Sequence, residues 1–205
     1  MRVTTQMLNE TARKAGLPIN NSTLLDYINN DSSADSMLNS INGSTSAATQ
    51  MLKAKVSKTG YENTDKSSED LQNAIDKLAG KKSTVFKDAR ESKDTSKVTA
   101  AAQELIDKYN SLVEVMSKMS SSLDEFYKKA LKGLPESIKE SLEKVGITYN
   151  SDGTLEVDSD KLKKADVDSL EKIFGSDSEF MKKLSFVTDR IESNAEANLQ
   201  SVSST

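Results

Sequence analysis

The chain has 205 residues, of which 28 are basic and 32 acidic, giving a net charge of −4 with both signs mixed along its length. Apolar residues make up 35% and aromatics 5%; cysteine, histidine and tryptophan are absent. That composition excludes disulfides, thiolate metal sites and thiol nucleophiles, removes the usual general base of neutral pH, and leaves no basic stripe for nucleic acid. The apolar shortfall predicts thin two- or three-helix packing, each helix burying one stripe, rather than a single thick core.

Residues 1–44 read as a flexible N-terminal segment. About twenty of the first fifty residues are Ser, Thr or Asn, a composition that buries too little apolar surface to offset its ordering entropy. Its one compact apolar cluster is Leu24, Leu25 and Ile28, after a capping Thr23; Ala34 to Ile41 offers a further turn or two. Met1 to Thr5 carries no apolar core and no small-residue cleavage site, so any export is expected to proceed without a cleaved signal peptide. No run approaches the length of a membrane span, so no membrane insertion is expected.

From residue 45 to 205 the pattern is that of a helical rod. Ala48, Met51, Leu52, Lys55 and Val56 form a stripe that fades at Lys58-Thr59-Gly60; a second stripe runs through Leu71, Ile75, Leu78, Lys82, Val85 and Ala89, with Gly80 inviting a break. The clearest segment spans 97–131. Val98, Ala102, Leu105, Tyr109, Leu112, Met116, Met119, Leu123 and Phe126 recur in alternating steps of four and three, which predicts one long helix with a coiled-coil seam. Asp94, Thr95 and Ser96 supply capping oxygens ahead of it, and Gly133-Leu134-Pro135 is expected to end it.

A short helix with Ile138, Leu142 and Val145 on one face follows, stopping at Gly146. Ile147 to Tyr149 and Thr154 to Val157, around Asn150, Asp152 and Gly153, read as a small β-hairpin, because glycine supplies the positive φ of the turn. Asp158-Ser159 caps a short helix through Leu162, another covers Val167 to Phe174, and a last helix near 177–202 has its own seam, from Phe180 to Val202. The fold class is therefore mainly α: an elongated antiparallel helical bundle or coiled coil with a β-hairpin insertion. Helix 97–131 is expected to pack antiparallel against 177–202 and against a helix from 45–93.

The best metal candidate is the run from Asn150 to Asp160. An EF-hand loop with Gly153 at its sixth position would need an acid and a glutamate where Thr148 and Ser159 stand, so the hairpin and the helix cap account for these residues without a metal. No catalytic set, phosphate loop, cofactor site or metal site is expected, and the reading is non-enzymatic.

Six stretches in order carry a resemblance. Ser92-Lys93-Asp94-Thr95, Leu105-Ile106-Asp107-Lys108-Tyr109-Asn110-Ser111-Leu112, Val145-Gly146-Ile147, Asp152-Gly153-Thr154-Leu155, Asp158-Ser159-Asp160-Lys161-Leu162 and Leu170-Glu171-Lys172-Ile173-Phe174-Gly175 resemble the C-terminal region of the bacterial flagellar filament-capping protein, hook-associated protein 2. The opening Met1-Arg2-Val3-Thr4-Thr5-Gln6-Met7-Leu8 is similar to the start of the hook–filament junction protein and flagellins. The resemblance implies a structural axial protein of the flagellum, exported through the flagellar system to an extracellular location. Its implied partners are flagellin or other axial proteins, further copies of itself, and an export chaperone. Familiar caps carry β-rich outer domains ahead of the matching region, whereas 45–93 here reads as helix. The alternatives are a secreted helical adaptor or effector and a cytosolic flagellar export chaperone.

Overall fold

The computed structural model describes residues 47–203, and side-chain environments from 57 to 201. Two compact units divide the chain, residues 1–53 and 54–205; of the first, only the start of a helix is described. The expectations for residues 1–44 lie outside the described residues, as does the environment of Val202.

The protein is mainly helical, with one two-stranded antiparallel sheet among the described residues. In chain order the elements are α1 (Ala47–Ala79), α2 (Val85–Ser92), α3 (Ser96–Ser117), α4 (Ser122–Glu136), α5 (Lys139–Lys144), β1 (Ile147–Tyr149), β2 (Leu155–Val157), α6 (Ser159–Lys164), α7 (Val167–Phe174) and α8 (Glu179–Ser203). The two stripes before residue 90 part at Gly80: Lys82 lies in the connection, and α2 buries Phe86 and Ala89. The fade expected at Lys58-Thr59-Gly60 does not end a helix, because α1 runs through it. Gly60 marks a close approach instead: a Cβ there would stand 2.9 Å from the Met119 sulfur.

The single helix expected over 97–131 is two helices. Its seam from Val98 to Met119 is buried, but the chain turns at Lys118 to Ser121. The Lys118 and Met119 amides close the end of α3 by donating to the Val115 and Met116 carbonyls at 3.1 and 3.2 Å. Ser121 is extended, and its side chain accepts from the Asp124 amide at 3.1 Å while the Asp124 carboxylate accepts from the Ser121 amide at 3.2 Å. That reciprocal capping box starts a new helix. Beyond it the 4-3 spacing no longer faces a partner: Leu123 is 46% and Phe126 63% exposed, so neither belongs to the seam. Asp124, Leu131 and Pro135 face inward instead. Gly133-Leu134-Pro135 does not end the helix as expected, because Pro135 lies inside α4, which runs to Glu136.

Long-range bonds fix the directions. Lys77 reaches Glu104 at 2.5 Å, Lys108 reaches Asp70 at 3.1 Å, and Tyr61 donates to Asp124, so α3 runs antiparallel to α1. Lys132 of α4 lies against Gly153, whose carbonyl accepts from Tyr109 of α3, so α4 folds back along α3. Asn194 donates to Asp124, and Ile138 shares a cleft with Phe180, so α8 is antiparallel to α4. Gln72 and Ser185 bond across α1 and α8 at 2.9 Å. The four long helices thus alternate in direction. The antiparallel partner of α8 is the α4 half of the segment expected to be one rod; the α3 half is antiparallel to α1. Leu71, Leu78, Leu105, Leu112, Met116, Leu131, Leu184 and Ile191 fill the middle.

The sheet pairs Ile147 with Val157 and Tyr149 with Leu155. Replacing Leu112, which is fully buried, with Asp should cost on the order of 2–5 kcal/mol by putting an unpaired charge into the core. Urea unfolding followed by circular dichroism measures it; a midpoint equal to that of the wild type would contradict the packing.

Candidate functional site

Of the nine residues predicted to form an assembly seam, Val98, Ala102, Leu105, Tyr109, Leu112, Met116 and Met119 are consumed inside the chain, each no more than 9% exposed. All seven belong to the chain's own buried core. Leu123 and Phe126 stand outside, and with Phe186 of α8 they are the exposed large apolar side chains among the described residues. Phe126 meets Tyr127 edge-on at 5.5 Å, and the Arg190 guanidinium lies over the Phe186 ring at 5.2 Å.

The hairpin turn is built by its own side chains. Gly153 has φ of 91°, and its amide donates to the Asn150 carbonyl at 3.0 Å. Asn150 donates through its amide to the Thr154 carbonyl and through Nδ2 to Thr154 Oγ1. The Asp152 carboxylate accepts from the hydroxyl and the backbone amide of Thr154, which hold it below the usual carboxylate range. Asp158 accepts from the Lys161 amide at the head of α6 and is lowered chiefly by that bond. Asp152 is thus engaged in the turn and Asp158 in the cap of α6.

Two α3 side chains hold the hairpin in place. Tyr109 donates its buried hydroxyl to the Gly153 carbonyl at 2.9 Å, and burial raises its pKa. Asn110 does what a third strand would do: its Nδ2 donates to the Leu155 carbonyl and its Oδ1 accepts from the Leu155 amide, both at 2.8 Å. At the other end of the sheet the Asp158 amide donates to the Gly146 carbonyl at 2.8 Å, and Gly146, with φ of 86°, leaves room for the Lys161 side chain. On the neighbouring face Arg90 of α2 pairs with Asp168 at 2.8 Å and with Glu171, joining α2 to α7.

Sequence reasoning did not foresee the opposite end of the four helices. Asp124 is 2% exposed, and its oxygens accept from Tyr61 Oη at 3.3 Å and Asn194 Nδ2 at 3.0 Å besides capping α4. Burial is the main cause raising the Tyr61 pKa. The Ser-x-x-Asp spacing at Ser121 was the available signal. Near it, one carboxylate oxygen from each of Asp65, Glu192 and Glu196 lies within 4.8 Å of the others.

Two substitutions test these ends separately. Gly153→Val should lower stability by roughly 1–2 kcal/mol through left-handed strain, read as a lower urea midpoint with the helical circular dichroism retained. Asp124→Ala removes the cap and orphans the buried Tyr61 hydroxyl and the half-buried Asn194 amide, so a loss of about 2–4 kcal/mol is expected in the same measurement. An unchanged midpoint in either would remove that residue from its role.

No family model matches this chain, and no curated protein or solved structure matches it.

Proposed function

We propose that the chain is a structural, non-enzymatic assembly protein of the bacterial flagellum: a hook-associated, filament-cap-like axial protein exported by the flagellar system. One observation supports this reading above the others. Stretches that carry the resemblance are far apart in sequence yet bond to one another. The Leu105–Leu112 stretch grips Asp152–Leu155 through Tyr109 and Asn110. The Val145–Ile147 stretch meets Asp158–Leu162 through the Gly146 carbonyl. Residues that resemble one family therefore form a mutually bonded unit, as expected of an inherited structural module rather than scattered chance identities.

The seam cannot be offered to a neighbour without opening the core, so contact with flagellin, another axial protein or a second copy falls to exposed apolar side chains. Leu123 and Phe126 on α4 and Phe186 on α8 are those side chains. Burying one large apolar side chain contributes about 1.5–3 kcal/mol, enough to matter when repeated along a filament.

Sheared filaments from flagellated cells should carry the protein when they are sedimented. Phe126→Asp should leave the melting temperature unchanged and strip the protein from the pellet. Deleting residues 2–20 should leave the helical circular dichroism intact and abolish appearance outside the cell. A protein that stays in the cytosol would instead be an export chaperone, and one that is soluble outside and never sediments a secreted adaptor or effector; either result would end the axial reading.

A further inference from the structure

The methionines whose side chains are described differ in their access to water. Met116 and Met181 are each 1% exposed, whereas Met119, just past the end of α3, keeps 9%. Its sulfur lies against α1: a Cβ at Gly60 would stand 2.9 Å from Met119 Sδ and 3.5 Å from Cε. Gly60 is itself only half-buried, and Ser57, Lys58 and Thr59 before it are exposed. The thioether therefore sits at the rim of the core, within reach of small solutes. Glycine weakens a helix from inside, and an unbranched thioether is suited to filling the gap that a missing side chain leaves.

The backbone of the same residue is pinned at the reversal between α3 and α4. Its amide donates to the Met116 carbonyl at 3.2 Å, and its carbonyl accepts from the Lys128 ammonium at 3.4 Å. One residue along α1 from Gly60, the Tyr61 hydroxyl donates to Asp124 at 3.3 Å. The Met119–Gly60 contact and the Tyr61–Asp124 bond thus act together to hold α1 to the reversal.

We propose that Met119 is a site of reversible oxidation by peroxide, and that its sulfoxide releases α1 from the reversal. A sulfur lone pair attacks one oxygen of hydrogen peroxide, and the S–O bond forms as the O–O bond breaks. Sulfur gives up two electrons, and the second oxygen leaves as water, taking the proton of the first. The thioether becomes a polar, chiral sulfoxide. Toward Gly60 the new oxygen has no room, since even a single added carbon there would crowd the sulfur. Turned to water, it draws the side chain outward and leaves the gap at Gly60 unfilled. Either way the contact is lost, and burying the sulfoxide without a donor opposes its return. This goes beyond the flagellar reading and stands whether or not that reading holds.

The test uses the full-length purified chain exposed to hydrogen peroxide, with sulfoxides mapped by peptide mass spectrometry over time. Met119 should oxidise about tenfold faster than Met116 and Met181. The oxidised chain should melt about 4–8 °C lower, and methionine sulfoxide reductases should restore the original Tm. Hydrogen exchange should show protection lost first around residues 57–64 and 116–124, with the hairpin and the 179–191 stretch of α8 still protected. Met119→Leu, close in volume, should keep nearly the wild-type Tm and lose the peroxide-dependent fall. Met119→Gln, which is polar at the same length, should melt low before any peroxide is added. Slower oxidation of Met119 than of Met116 or Met181, a Met119 sulfoxide with unchanged Tm and exchange, or an equal peroxide-dependent fall in Met119→Leu would each overturn the proposal.

Discussion

Donors from three parts of the chain converge on the two oxygens of Asp124: the Ser121 amide, the Tyr61 hydroxyl and the Asn194 side chain. The Ser121 bond begins α4, and the other two tie that beginning to α1 and α8. Because the carboxylate is nearly inaccessible, each missing donor would leave a buried acceptor less satisfied, and the three reinforce one another. A reversal at this point is what lets α4 return along α3 instead of continuing the seam. Had the chain gone straight on, Leu131 would have no core to enter, and α8 would lack the partner along which it now runs.

The opposite end of the four helices follows from that reversal. With α4 folded back, Lys132 arrives beside Gly153, and Tyr109 and Asn110 on the facing helix reach the hairpin. A two-stranded hairpin is marginal by itself. Here Leu155 and Ile147 enter the common core while Asn110 completes the backbone bonding. The ion pairs of Arg90 add alignment on a solvent-exposed face, where such pairs contribute little to stability.

Periodicity reports burial, and it made the positions from Val98 to Met119 legible. The hairpin was legible too, since an Asp-Gly pair between two short β-type runs admits few conformations. Leu123 and Phe126 fit the seam by sequence but not in the structure, because the 4-3 spacing continues arithmetically past Met119 although the partner surface does not. Periodicity carries no information about where a chain reverses, whereas the Ser121-x-x-Asp124 spacing does. Glycine weakens helices locally, so the sequence around Gly60 reads as a fading helix, whereas the role of Gly60 is tertiary, giving room to Met119. Tyr61, Asn110, Asp124 and Asn194 act through partners 45 or more residues away, and no local pattern records such pairings. The acidic cluster was invisible for the same reason, since Asp65 and Glu192 become neighbours only once α1 and α8 are side by side.

The bonding of Asn110 to Leu155 has a consequence for how copies of this protein can meet. An unpaired strand edge is a template on which another strand can grow, and proteins that assemble at high density must keep such templates closed. β2 has one flank on β1. On its other flank a helical asparagine occupies both the amide and the carbonyl of Leu155, in the geometry an incoming strand would use. Runaway cross-chain sheet growth is thereby blocked at that residue without a proline or a surface lysine. Any ordered array built from this module must then be held by side chains on helices, which can be matched to one neighbour and refused to others.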